Sequence, residues 1–317
     1  MSTLDLACAV HVHSTCSDGS GTVPEIAVAA ATSGTDVVLL TDHDTLAARE
    51  WEGWHHGVLV LVGVELSSAA GHLLCFGIDE VIPHEGVGAA ELARRVADAG
   101  GICFAAHPFS EGSRMARAIG KPHPWTDFAG PLTGIELWSL ETDELEAART
   151  PAQLLRFQRA PERASGPPPA HLRRWDELSA RRPLVGIGGL DSHQKGVRVG
   201  GRAIGIPRYE RVFATLRTHV LVDRPDREAI FGALGAGRCY VALDALAPAR
   251  GFAFWADAQG VHARVPRPAE LVLLCDGMEV ARTEADALDH PGGPGSFRVE
   301  ARLAGKTWIV SNRIGLP

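Results

Sequence analysis

Short apolar runs in this chain repeatedly give way to histidine or carboxylate: His11-Val12-His13 with Ser17-Asp18-Gly19, Thr41-Asp42-His43-Asp44-Thr45, Ala106-His107-Pro108 and Asp191-Ser192-His193. Ionisable groups at the ends of buried strands are costly without partners, so a fold that carries them must bring them together. Uncharged imidazoles and ionised carboxylates are the ligands that borderline and hard divalent cations select. The pattern therefore predicts a metal site assembled from strand ends, of the kind that can run hydrolysis at neutral pH.

The spacing assigns roles. Residues two apart on a strand project from one face, so His11 and His13 are predicted to converge while Val12 packs inward. Asp18 follows in a Ser-Asp-Gly turn that returns its carboxylate toward the strand end. His43 is the predicted ligand of its triplet, with Asp42 or Asp44 orienting an imidazole; a helix cap built from Asp44 and Thr45 is the bland alternative. Glu65 closes the strand Val58 to Val64, and its two oxygens could bridge two cations; alone it could equally be a surface salt bridge. The matching depth of Glu65, His107 and Asp191 at strand ends favours ligation. Asp191 and His193 again lie two apart, after the glycine-rich run 186–189.

From the start to about residue 195, strand-like and helix-like segments alternate: Leu6 to Val12, Pro24 to Thr32, Asp36 to Leu40, a helix over Thr45 to His55, a strand over Gly57 to Leu66, then His72 to Ile78, Glu91 to Ala99, Ile102 to Ala106, Gly134 to Leu140 and Leu184 to Leu190. Such units predict an α/β class with a parallel sheet, and ligands at many strand ends favour closure into a barrel. The Gly-, Pro- and Arg-rich stretch Phe109 to Pro131 is long for a connection and is predicted to form a rim over the site. Beyond residue 200, Asp226 to Ala236 reads as helical, followed by many short strand runs typical of a small antiparallel sandwich. The division expected is a barrel over 1–245 and a mostly-β domain over 246–317.

With 45% hydrophobic and 22% charged residues in 317, a well-buried core is possible. The formal charge of −7 argues against a general nucleic-acid binder, though not against a nucleotide substrate. Six cysteines lack Cys-x-x-Cys pairs or the density of a disulfide scaffold. No basic-then-apolar leader and no apolar run long enough to span a membrane are visible, so the expected setting is cytoplasmic, with a small-molecule partner and no membrane contact.

In this order, the His-x-His, Ser-Asp-Gly, Thr-Asp-His-Asp, strand-terminal Glu, Ala-His-Pro and Asp-Ser-His motifs resemble those of the PHP (polymerase and histidinol phosphatase) superfamily of metal-dependent hydrolases, over about residues 6 to 200. Asp226 to Val241 and Trp308-Ile309-Val310-Ser311-Asn312 further resemble the branch containing the CehA and McbA carbamate hydrolases. The resemblance implies a distorted (β/α)7 barrel and two or three divalent ions, Mn, Fe or Zn. Carried onto this chain, His11, His13, Glu65 and Asp191 would hold one ion, Glu65 and His107 a second, and Asp18, His43 and His193 a third. Many members supply a further histidine to the second ion from a later strand, where this chain offers Glu136, as a ligand or as a group orienting His107.

The other histidines have plainer readings. His55, His56, His84, His171 and His290 read as solvated, His72, close behind Glu65, as a core residue or one reaching the cavity, and His123 as a substrate contact on the rim; His219 and His262 carry no argument. Lys195, Arg198, Arg114 and Arg117 are the cations available to a phosphate, with surface charge as the alternative. The expected reaction is phosphoester hydrolysis of a small metabolite or nucleotide, with Asp191 and His193 essential to catalysis and His193 or water protonating the leaving oxygen. Its rival is carbamate or carboxylic ester hydrolysis in an apolar pocket built from Trp125, Phe128 and Trp138. A non-catalytic metal-dependent binding module is the remaining alternative.

Overall fold

A computed structural model describes residues 3–114, 121–164, 166–199, 202–205 and 207–317, with 196–199 and 202–205 described as backbone alone. The strand Leu4–Val12 is buried over its last six residues and lies at the centre of the molecule. Val37–Leu40 pairs with it in parallel, and Val58–Val62 pairs in parallel with Val37–Leu40. The crossover helix Val23–Ser33 begins at a capping box between Thr22 and Glu25 and stops at Gly34 in the left-handed region. Its Val23, Ile26, Ala27 and Ala30 pack into a core with Val38 and Val60.

Gly63 is where the chain changes sheets. A Cβ there would lie 2.4 Å from the carbonyl oxygen of Cys75, a distance no side chain tolerates. The predicted strand Gly57 to Leu66 is therefore split into Val58–Val62 in one sheet and Val64–Ser68 in another. The second sheet runs Val64–Ser68, Gly71–Phe76, Ile102–Ala105, Gly134–Ser139 and Val185–Gly189. Its first two pairings are antiparallel and its last two parallel.

Among the described residues, the closed parallel barrel expected from the sequence is thus replaced by two main sheets, beside a small two-stranded one. Gly71–Phe76 returns as a hairpin with no helix before it, and Arg217–Val222 lies antiparallel to the first strand. The sheets touch through two isolated parallel bridges, Val12 with Ser192 and His43 with Glu65. Both seams fall at the strand ends that carry the ionisable motifs, which is what gathers them.

The helix expected over Thr45 to His55 is a 3-10 turn, Ala47–Trp51, followed by an edge strand, Gly53–His55, antiparallel to Val58–Val62. Successive positive φ angles at His56 and Gly57 make the tight reversal that joins strands in a hairpin. Toward the C-terminus, Gly260–Cys275 is one strand of 16 residues rather than a succession of short runs. An Asp276-Gly277 turn leads from it into Met278–His290, a largely exposed strand that the sequence reading missed. These strands join the first sheet through Lys306–Ser311 and Cys239–Ala242. Across from them, Asp176 of helix Pro169–Ser179 grips Arg298 through two bonds of 2.8 Å and also bonds Arg313.

Candidate metal centre

The first strand ends in a bulge: His11 takes a φ of 64° and the pairing register slips between Val10 and Val12. Plain strand alternation is thus not what aligns His11 with His13, yet their rings converge, with centroids 5.1 Å apart. Asp44, His107 and Asp191 also have positive φ. Strained backbone is concentrated at the ends of the strands that carry the motifs, where side chains must turn inward.

Glu65 is the hub. Its Oε2 lies 3.1 Å from Nε2 of His11, 3.1 Å from Nε2 of His13 and 3.4 Å from Nδ1 of His43. Its Oε1 faces His72 Nδ1 at 2.8 Å and His107 Nε2 at 3.3 Å. Asp191 Oδ1 adds to the first set, 3.4 Å from His11 Nε2 and 3.5 Å from His13 Nε2. A further group surrounds Asp18 Oδ1, with His193 Nε2 at 3.1 Å and His13 Nδ1 and His43 Nε2 both at 3.8 Å.

The donor atoms of His11, His13, Glu65 and Asp191 lie within 4.8 Å of one another, and so do those of His13, Asp18, His43 and His193. His43, Glu65 and His72 form another such group. His72, read from the sequence as core or as reaching the cavity, is therefore part of the site; its place two residues into the hairpin strand after Glu65 was the available signal.

These residues fit divalent ions. His11 Nε2, both ring nitrogens of His13, Glu65 Oε2, Asp18 Oδ1 and His107 Nδ1 are buried without a hydrogen-bond partner among the described residues. Several of these atoms approach one another closely, but not along hydrogen-bond directions. Buried polar atoms left unpaired are rare and call for an explanation such as a bound ion. Nitrogen and carboxylate donors together suit Zn, Mn or Fe.

Without ions, the cluster holds protons instead. Burial works to lower the pKa of His13, but contacts with Asp191 and Glu65 prevail and hold it at about 9. His107 is likewise held at about 9, chiefly by Glu65 and Asp191 against burial. Burial raises Glu65 and Asp191, yet the charge of His11 and neighbouring histidines keeps both well below the usual carboxylate range. Burial holds His43 below its ordinary value, against the pull of Glu65.

Glu136 does not face the cluster. Its Oε1 lies 2.8 Å from His11 Nδ1 and its Oε2 accepts the backbone N–H of His107 at 2.6 Å. Of the two readings the sequence left open, ligand or group orienting His107, these contacts match the second, and they add a bond to His11 that the sequence did not suggest. A Cβ on Gly189 would sit 1.7 Å from Glu136 Oε1, so glycine at that position makes room for this bond. Asp42 accepts from Ser14 N at 2.8 Å, Ser14 Oγ at 2.7 Å and Ser17 Oγ at 2.6 Å. It shapes the loop that carries Asp18 and orients no imidazole. Asp44 accepts from Ser67 N, and Ser67 Oγ lies 2.9 Å from His43 Nδ1. Asp44 therefore caps no helix.

His193 Nδ1 lies 2.8 Å from the carbonyl of Asp191, so its N–H donates there and Nε2 is left toward Asp18. Lys195 Nζ lies 2.7 Å from Asp18 Oδ2 at the half-exposed rim. Arg114 is exposed, Arg117 lies outside the described residues, and the side chain of Arg198 does too. His123 stacks on His72 with ring centroids 4.5 Å apart. His84, read as solvated, pairs with Asp44 at 3.2 Å. Trp138 is buried in one core cluster, and Trp125, with Phe128 packed against it, in another.

A two-domain protein of Bacteroides vulgatus containing a predicted PHP-like metal-dependent phosphoesterase superimposes with a TM-score of 0.50, covering 99% of this chain and 96% of that one at 17% identity. The chain has a PHP-like fold. An amidohydrolase from Chromobacterium violaceum matches 64% of the PHP-like chain and 92% of its own at 17% identity, with a TM-score of 0.40 that carries no weight. In sequence, the chain is 39% identical over 84 residues to a phosphoribosyl 1,2-cyclic phosphate 1,2-diphosphodiesterase of Eggerthella lenta. That match spans 32% of the relative's length. No family model matches. No helix among the described residues is long and apolar enough to cross a membrane.

Proposed function

We propose that this protein is a metal-dependent phosphoesterase acting on a small phosphorylated metabolite or nucleotide. One observation carries the reading: the buried carboxylate of Glu65 stands between two sets of histidine nitrogens, Oε2 facing His11 and His13 and Oε1 facing His72 and His107. His11, His13, Glu65 and Asp191 would hold one ion, Glu65, His72 and His107 a second, and Asp18, His43 and His193 a third. Bound there, the ions would supply Lewis acidity and a nucleophile at neutral pH.

The chain's own groups do the rest. Asp191 and His193 would carry the roles essential to turnover; each is fixed by a bond that leaves one atom toward the cluster. Lys195, beside Asp18 at the rim, supplies the positive charge that a phosphoryl group needs. Trp125 and Trp138 are buried in separate core clusters, which favours the phosphoester reading over a carbamate or ester hydrolase with an aromatic pocket. The phosphodiesterase identity of the Eggerthella lenta relative and the PHP-like phosphoesterase in the Bacteroides vulgatus protein support the same chemistry.

The test is phosphate release from a panel of phosphorylated metabolites, aryl phosphates and aryl carbamates, with and without chelator. Chelator-sensitive hydrolysis of phosphoesters, abolished in Asp191→Asn, is expected. Turnover of carbamates alone, or near-normal phosphate release from Asp191→Asn, would overturn the proposal.

A further inference from the structure

We infer that Thr142 is a positioning residue for the metal centre, selecting which oxygen of Asp191 faces the ions; this rests on the metal reading above. Asp191 follows the strand Val185–Gly189 by two residues, in a left-handed conformation, φ 53°, where nothing in regular secondary structure fixes its carboxylate. Its Oδ1 points at His11 and His13, 3.4 and 3.5 Å from their Nε2 atoms. Its Oδ2 accepts the hydroxyl of Thr142 at 2.6 Å, the short length of a charge-assisted bond.

Thr142 stands in the first turn of the helix Leu140–Ala147. That helix is fastened to the same turn by its backbone, for the N–H of Glu141 donates to the carbonyl of Leu190 at 3.1 Å. Helix start and ligand turn are thus joined by two bonds, one through the main chain of the residue before Asp191 and one through its side chain. The backbone bond survives any substitution at 142; the hydroxyl bond does not. Without it, the carboxylate is free to rotate and present either oxygen, and the helix no longer neutralises the lone pairs of Oδ2. Glu136 restrains His11 in the same manner from the other side, so two ligands of one ion are each held by a group that cannot reach it.

Groups that orient a metal ligand typically change affinity by about 10- to 100-fold when removed. The experiment is a competition titration of metal-free protein with Zn2+ or Mn2+ against a chromophoric chelator, on the wild type, Thr142→Val, Thr142→Ser and Asp191→Asn, together with thermal unfolding of each metal-free chain. Thr142→Val, nearly isosteric, is expected to weaken one site by about 10- to 100-fold; Thr142→Ser is expected to restore it, and Asp191→Asn to lose that site. Wild-type affinity in Thr142→Val would overturn the inference, as would losses in Val and Ser alike that follow a shared fall in Tm. A wild type that binds no divalent ion overturns the metal reading itself, which separates the two failures.

Discussion

Glu136 Oε1 lies 2.8 Å from Nδ1 of His11, so the proton shared between them sits on the far side of the ring from the cluster. With an ion bound, that bond would hold the ring proton on Nδ1 and leave Nε2 of His11 to the ion, between Glu65 and Asp191. Glu136→Gln is expected to keep the fold, since its amide oxygen still accepts from His107 N–H, but its NH2 can bond His11 Nδ1 only with the proton moved to Nε2, so the first ion's binding weakens by about tenfold or more. Equilibrium dialysis against graded chelator reads this directly.

Gly189 supplies the space for that bond, because a Cβ would lie 1.7 Å from Glu136 Oε1. Gly189→Ala is therefore expected to push Glu136 off His11 and to reduce both metal content and stability, by about 1 to 3 kcal/mol for the overpacked core. Urea unfolding and metal analysis of the same preparation check the two effects together.

Stability of the metal-free protein should depend on pH in a definite sense. His13 and His107 are each held at about 9 in the folded chain, above the roughly 6.5 of a free imidazole. Their protonated forms therefore stabilise the fold fully below about pH 6.5, and that contribution is lost as pH rises through about 9. Divalent ions require neutral imidazoles, so loading the protein should flatten or reverse this slope. Urea titrations at pH 6.5 and 9.5, with and without metal, measure it.

Much of the site was legible because its residue types are distinctive: His11, His13, Asp18, His43, Glu65, His107, Asp191 and His193 all reach the cluster. What the sequence hid was direction. The bulge at His11, the sheet change at Gly63 and the inward turn of His72 depend on contacts between strands distant in the chain. Glu136 could be read either as a ligand or as a group orienting His107, because a strand-end carboxylate has the same chemistry whether it meets an ion or an imidazole. The barrel was expected from the alternation of strand and helix, but the hairpin Val64–Ser68 with Gly71–Phe76 breaks that alternation. Its turn lacks the Asn-Gly or Asp-Gly signature that would have announced it.

Asp176 should prove the most sensitive single carboxylate for global stability. It bonds Arg298 and Arg313, both nearly buried against Trp175, and so ties helix Pro169–Ser179 to the C-terminal strands. Asp176→Ala leaves two buried guanidinium groups short of a partner and is expected to cost about 3 to 5 kcal/mol. Urea unfolding followed by tryptophan fluorescence measures the loss.

The most direct test of the central claim is the anomalous diffraction of crystals grown with Mn2+ or Zn2+. The account predicts strong peaks at Glu65, one within about 2.0 to 2.2 Å of nitrogens of His11 and His13, and another on the side of His72 and His107. Metal-soaked crystals with no peak beside Glu65, or with these side chains hydrogen-bonded to water alone, would contradict it.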